Sequence, residues 1–382
     1  MIGRLGISYE RDASAGLIAY APRSGLFFAI HESSVQEAEK WLQGADVTLT
    51  GPMEQLLASA QGSGAASLAI SSGSLLPDRL AWENPPQPSK PFVINWLLTG
   101  RCPLHCVYCY AEDLMHDEAI EPSREQVQRI AKTILSYRPV VVVLTGGDPL
   151  SSPHLELAIS NLAGRCAVVV DTNGVHLTDE RVQLFKKFGL MVRVSLDGES
   201  PALSVRQRPN CSGGDSSAAA VDAVCRCLRA EIPVTVQTVA TRANLANLHR
   251  FGDKLHQMGV PMWRVLRVVG SRDRMDGYYQ AIGGSTQLAI DRFAENWKHF
   301  TLEVLGPRTR KWADSMAVQA TGSELRNSVV LVAPDGRFYT ESATRNEKQL
   351  LDTSSPYRPA LRSIRRQVDM AGHSRRYLRL EG

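Results

Sequence analysis

Between residues 91 and 269, six short apolar runs alternate with helix-like segments, and that alternation restricts the fold more than any other feature of the chain. The runs occupy residues 92–98, 140–144, 167–170, 190–196, 233–239 and 262–269. Continuous apolar runs of this length suit strands buried on both faces, as in a parallel sheet. The segments between them carry helix signals. Ser123 and Gln126 form a capping box ahead of Val127, Ile130, Ala131 and Ile134, which share one helical face. Thr178 opens a helix that Gly189 closes, and residues 216–230 form another. Asn244 caps a further helix carrying Leu245, Leu248, Phe251, Leu255 and Met258, ended by Gly259. Repetition of this kind predicts an α/β fold, a partial (βα)6 TIM-like barrel over residues 91–300. In such barrels the loops after the strands' C-terminal ends carry the chemistry.

The first of those loops reads Thr99-Gly100-Arg101-Cys102-Pro103-Leu104-His105-Cys106-Val107-Tyr108-Cys109. Its cysteines are spaced C-x3-C-x2-C. A cubane iron–sulfur cluster is usually held by four thiolates. Three thiolates leave one iron open, as a reactive metal centre requires. A structural zinc site is the rival reading, with His105 or His116 as fourth ligand. The chain has 7 cysteines, an odd number, which does not suit a secreted disulfide framework. No stretch reaches the ~18 apolar residues of a membrane helix. The reading that follows is a cytoplasmic protein with no membrane partner. A net charge of +4 gives no reason to expect nucleic acid.

At this loop the sequence resembles the radical S-adenosylmethionine (SAM) family, with Tyr108 as the aromatic residue before the last cysteine. The resemblance implies one [4Fe–4S] cluster on Cys102, Cys106 and Cys109, with SAM on the open iron. It implies reductive cleavage of SAM to a 5′-deoxyadenosyl radical, with electrons from a carrier such as flavodoxin or ferredoxin. Gly146-Gly147-Asp148-Pro149 after the second run resembles the family's glycine-glycine-acid-proline motif, with Asp148 in place of the commoner Glu. That stretch would hold the amino group of SAM. Thr172 and Asn173 would line the pocket, and Ser195, in Ser-Leu-Asp-Gly, would bond the ribose or methionine part. Asp197 is placed toward the substrate side. Arg206 or Arg208 would pair with the SAM carboxylate, since a guanidinium matches that geometry. Gln237, Thr238 and Asn244 flank the end of the fifth run, where family members carry a similar Thr-x-x-Asn stretch, and Arg264 and Arg267 alternate along the sixth.

Residues 1–85 form a separate unit. Two short strands (17–20 and 26–30) flank a Pro-Gly turn, Ser33 or Ser34 caps a helix carrying Val35, Ala38, Trp41 and Leu42, and a second helix covers 52–60. Its order resembles the small winged-helix-like leader-peptide recognition domains of peptide-maturing radical SAM enzymes; a structural cap on the barrel is the alternative. Residues 86–90 are a Pro-rich linker. Leu288, Ile290, Phe293, Ala294 and Trp297 suggest one late helix, and Val329 to Tyr339 a hairpin turning on Pro334-Asp335-Gly336. The hairpin resembles the start of an auxiliary-cluster (SPASM) domain, so residues 301–382 read as a short C-terminal α/β extension. Yet no cysteine follows Cys227, and Thr340 and Glu341 stand where that pattern continues toward a thiolate. Without auxiliary clusters, reactions that end by returning a hydrogen atom gain weight. Cys211, in the loop after the fourth run, is a candidate donor; Cys166, Cys225 and Cys227 read as packing residues. The resemblance thus implies modification of a ribosomally made precursor peptide at an unactivated carbon, by epimerisation or cross-linking. A small metabolite or a folded protein is the alternative substrate, and a non-catalytic zinc-stabilised binding protein the alternative class.

Overall fold

A computed structural model describes residues 1–12, 16–23, 26–30, 32–47, 90–109, 111, 121–212, 214–267, 301–305 and 329–340. The expected helices at 52–60 and around Phe293 lie outside the described residues, as do His116 and most of the C-terminal extension.

Strands β1 (Ser8–Asp12), β2 (Gly16–Ala21) and β3 (Leu26–Ile30) form a three-stranded antiparallel meander in the order β1-β2-β3, followed by α1 (Glu32–Leu42). The sequence pattern predicts two strands here and a helix cap at Ser33 or Ser34, whereas α1 already includes both serines. The pattern misses β1 because Ser8, Glu10 and Asp12 look like surface residues, yet all three are buried.

The second sheet holds β4 (Val93–Thr99), β5 (Val141–Gly146), β6 (Ala167–Thr172), β7 (Met191–Ser195), β8 (Val234–Ala240) and β9 (Met262–Arg267), the six expected strands. Three more join it: β10 (Thr301–Leu305), β11 (Val329–Val332) and β12 (Phe338–Thr340). The order is β10-β9-β8-β7-β6-β5-β4-β11-β12, parallel throughout except for the β11–β12 hairpin. This is a mixed α/β fold around a TIM-like parallel sheet. The hairpin turns where expected, with Gly336 at φ 86°, and β11 pairs with β4, Val330 opposite Ile94.

Helices α2 (Arg124–Ser136), α3 (Leu155–Leu162), α4 (Asp179–Phe188), α5 (Pro201–Gln207), α6 (Ser217–Arg229) and α7 (Leu248–Gln257) connect the strands. The Ser123–Gln126 capping box is present on both sides, and Thr178 Oγ1 accepts from Arg181 N at the start of α4. Gly189 ends α4 in the left-handed region, φ 64°. Asn244 does not cap α7. A 3-10 turn intervenes, and the Asn244 side chain accepts from Thr241 N and donates to the carbonyls of Asp197 and Val239.

Alternate residues of the parallel strands separate two cores. Ile94, Trp96, Leu98, Val142, Leu144, Val168, Val170, Val192 and Val194 pack with the helices in one cluster. Val141, Val143, Ala167, Val169 and Met191 form a second cluster with Phe92 and Val140. Ile18 and Tyr20 of β2 belong to that second cluster. The N-terminal meander therefore floors the barrel at the strands' N-terminal ends. A hydrogen bond of 2.9 Å from Tyr20 Oη to Met191 Sδ fixes the contact. Glu10 clamps its rim, with Lys90 Nζ at 2.7 Å and Arg138 Nη2 at 2.8 Å.

Candidate functional site

At the strands' C-terminal ends the cysteine loop lies against the loop after β5. Gly147 N donates to Thr99 O (2.8 Å) and Asp148 N to Arg101 O (2.7 Å). The approach is close enough to demand glycine. A Cβ on Gly147 would sit 2.1 Å from Arg101 O and 3.0 Å from Cys102 N. Gly146 adopts φ 135° and a Cβ there would lie 2.5 Å from Thr99 O.

The other flank of the cysteine loop is held by the segment after α5. Val107 N donates to Gln207 O, His105 N to Pro209 O and Cys211 N to Pro103 O, at 2.8–3.0 Å, with Leu104 bridged to Asn210. Cys211 thus comes beside Cys102, its thiol 3.6 Å from the Cys102 carbonyl oxygen, and is exposed. His105 is exposed at the surface of the loop.

Two buried carboxylates organise the interior of the site. Asp148 accepts from Leu150 N, Thr172 Oγ1 and Asn173 N at 2.7–3.1 Å. Burial pushes its carboxyl above the usual range, and those bonds oppose the rise. Asn173 in turn places its Nδ2 3.7 Å from Cys102 Sγ. Asp197 accepts from the Tyr108 hydroxyl and from Val239 N (2.9 Å), so it faces the cysteine loop. Burial raises its carboxyl too, against the pull of Arg208.

The two candidate arginines part company. Arg206 is exposed and Arg208 is buried. Burial opposes the Arg208 charge, but Tyr108, Cys106 and Asp197 around it outweigh burial and keep its pKa above the ordinary arginine value. Ser195, Asp197 and Arg208 line one small hollow of about 10 Å³, room for roughly one water. Gln237 accepts from Arg264 Nη1 at 3.5 Å, and Arg193 Nη1 lies 3.5 Å from Asp171 Oδ1 on the neighbouring strands. The Arg267 side chain lies outside the described residues. Cys166 and Cys227 are buried, with thiols pushed up to about 12, and fit their reading as packing residues.

Sequence reasoning missed one further organiser and misassigned another. Glu121 accepts from Thr99 Oγ1 (2.6 Å) and Ser152 Oγ (2.7 Å) and lies 3.6 Å from Arg101 Nε, tying both glycine-side loops together. Asn244 ties the ends of β7 and β8. Glu121 carries no local motif and is defined by distant partners, whereas Asn244 lies in the Thr-x-x-Asn stretch after the fifth run, and only its bond to Asp197 O, 47 residues away, was not legible.

The residues fit a three-thiolate cluster in donor type and in backbone cradle. Three thiols stand on one partly exposed loop. Burial pushes the Cys102 thiol up to about 12 and the Cys106 thiol above its ordinary value, so a cation at the loop is what would turn them into thiolates. No three His, Cys, Asp or Glu side chains converge on a metal-sized point among the described residues, so gathering the thiols takes side-chain rotation.

A parallel partial barrel with a three-cysteine loop on its first strand defines a class of cluster-dependent proteins, and the comparisons agree. Residues 96–246 match the model of the Radical SAM superfamily, a radical SAM domain, and that family binds a [4Fe–4S] cluster and SAM. An AdoMet-dependent heme synthase of Methanosarcina barkeri is 25% identical over 190 residues, 49% of this chain and 54% of that protein. A PqqA peptide cyclase of Ruegeria pomeroyi is 31% identical over 156 residues, 40% of this chain and 41% of that one. The chain thus spans about half the length or less of these relatives. Among solved structures, Streptococcus suis SuiB bound to its precursor peptide SuiA shares the fold, with a TM-score of 0.57, 11% identity, and coverage of 89% of this chain and 83% of that one.

Proposed function

We propose that this chain is a radical SAM enzyme that modifies a ribosomally made precursor peptide at an unactivated carbon. The observation that carries the reading is the convergence of the Cys102–Cys109 loop, the Gly146–Gly147 backbone and buried Arg208 at one end of the barrel. Cys102, Cys106 and Cys109 would hold the cluster. Arg208, rather than exposed Arg206, would bind the SAM carboxylate bidentately. The Gly146–Gly147 backbone would approach its amino group, while Asp148 spends its oxygens fixing Thr172 and Asn173 beside Cys102. Ser195 and Gln237 would line the remaining wall, and Tyr108, tied to Asp197, would keep the loop closed over it. When bound, the cluster and SAM supply a 5′-deoxyadenosyl radical. Exposed Cys211, beside the cysteine loop, is a candidate to return a hydrogen atom, as an epimerisation needs.

The peptide reading draws on the PqqA peptide cyclase and SuiB, and on a three-stranded N-terminal sheet whose β3 has one neighbour among the described residues. A leader peptide would add there as a further strand. The AdoMet-dependent heme synthase supports a second reading, a small-molecule substrate. No helix among the described residues is long and apolar enough to cross a membrane, and a reducing cytoplasm with a flavodoxin- or ferredoxin-type donor suits the loop. The test is anaerobic turnover with SAM and reductant, offered the short peptides encoded beside this chain. Peptide-stimulated 5′-deoxyadenosine and a changed peptide mass support the proposal. Stimulation by porphyrins or nucleotides and by no peptide would replace it with the second reading.

A further inference from the structure

The interior face of the parallel sheet carries a polar wall on β7, β8 and β9. Val192, Val194, Val234, Val236, Trp263 and Val265 pack with the helices, so the alternate residues Arg193, Thr235, Gln237 and Arg264 face the barrel interior. The register sets Arg193 level with Asp171 and Thr235, and Gln237 level with Ser195 and Arg264, with Glu303 of β10 next in that row. Tyr20 lies beneath. Burial pushes its hydroxyl up, while Arg193 and then Arg264 pull it down, so both guanidiniums reach toward the floor. Above, Val239 packs on Tyr108 of the cysteine loop. Gln237 is two residues below Val239, so the wall begins about 7 Å beneath that contact.

Among the described residues, six buried side-chain nitrogen or oxygen atoms have no hydrogen-bond partner, and three of them stand on this wall: Arg193 Nε, Thr235 Oγ1 and Arg264 Nε. Thr235 is fully buried. Both guanidiniums are engaged elsewhere, through Nη1 to Asp171 and to Gln237, each at 3.5 Å. What the wall leaves over is therefore hydrogen-bond donors, whatever its net charge. Neighbouring donors on three adjacent strands call for a group that only accepts. A carboxylate has about four lone-pair sites, whereas an amide oxygen has about two and brings N–H groups that need acceptors of their own. The Asp171 side chain is 23% exposed and Arg264 is half-buried, so the wall is open to solvent.

We propose that this wall binds a carboxylate of the substrate, the side chain of an aspartate or glutamate in the peptide segment that enters the barrel. The inference rests on the reading of the chain as a peptide-modifying radical SAM enzyme. Arg193, Thr235 and Arg264 set specificity: they hold an anchor below the reacting carbon and do not touch that carbon. An acidic side chain is favoured over its amide because its bonds to the guanidiniums are charge-assisted and because the amide leaves buried donors unmet.

The experiment is a pair of measurements on the anaerobically reconstituted full chain. In turnover of the short peptides encoded beside this chain, each acidic residue of the peptide is replaced in turn by its amide. One replacement raises KM about tenfold, and Thr235→Val or Arg264→Gln removes that difference between acid and amide. Thr235→Val deletes a hydroxyl that has no partner, so the fold survives it. In melting at matched ionic strength, glutarate at about 20 mM raises the melting temperature of the unaltered chain by about 2 °C, and glutaramide leaves it in place. Both variants lose the glutarate shift. Turnover indifferent to every acid-to-amide replacement would overturn the proposal, as would no glutarate shift, or one that glutaramide matches or the variants retain. If no peptide is turned over while the glutarate shift persists and both variants lose it, the peptide reading fails and the carboxylate that the wall binds belongs to a small molecule.

Discussion

The two ends of the barrel are built by opposite rules. The N-terminal end is closed by apolar contact: Ile18 and Tyr20 rest on Phe92, Val140, Val141, Ala167 and Met191. The other end is held by hydrogen bonds to buried polar groups, Asp148, Asp197, Glu121 and Asn244, and by glycines that admit backbone against backbone. Apolar packing tolerates small changes of shape, whereas a buried carboxylate that loses a donor is left with the full cost of desolvation. One end can be remodelled gradually. The other works only when each partner is in place.

That contrast can be broken by substitution. The largest effect on stability is expected from Tyr20→Ala, which empties a fully buried ring from the floor and should cost about 3–5 kcal/mol in denaturant unfolding. If the ends are independent, the variant that still folds binds as much iron as the unaltered chain. Gly147→Ala acts in the opposite sense. Its Cβ would strike Arg101 O at 2.1 Å, so the cysteine loop must move. The expected stability loss is smaller, about 1–3 kcal/mol, but reconstituted iron should fall by most of its value. Full iron loading would show that the glycine cradle is dispensable. Glu10→Gln removes the charge facing Lys90 and Arg138 at the floor's rim. Since Arg138 is 62% exposed, a discounted loss of about 1–2 kcal/mol is expected, with SAM binding by calorimetry unchanged. A shift in SAM affinity would mean that the floor and the mouth are coupled. Ser123→Ala breaks the exposed capping box of α2 and should cost about 1 kcal/mol, read as a small fall in melting temperature, with no effect at either end.

These expectations also mark how far the sequence could be read. The six strands, the α2 capping box and the Gly189 stop were legible because each depends on residues within a few positions of one another. The three cysteines and the glycine pair were legible for the same reason. What escaped depends on partners distant in the chain. Nothing near Asn244 shows that its amide reaches Asp197 O, and the helix-cap reading failed because a 3-10 turn separates it from α7. Tyr108 reads as a loop aromatic until Asp197, 89 residues away, accepts its hydroxyl hydrogen bond. Arg206 and Arg208 are equivalent as sequence, and only burial separates them. Tyr20 reads as the core of an N-terminal unit, but its partners belong to the barrel. A deletion of residues 1–85 would therefore expose the floor as well as remove any leader-binding surface, so point substitutions are the cleaner probe.

The claim on which the account depends is that Cys102, Cys106 and Cys109 hold a cluster with one iron open to SAM. Electron paramagnetic resonance of the anaerobically reconstituted, reduced chain tests it directly. The account predicts a [4Fe–4S]+ signal whose shape changes when SAM is added and which Cys102→Ala abolishes. A zinc-loaded protein without such a signal, or a cluster signal that SAM leaves unaltered, would contradict it.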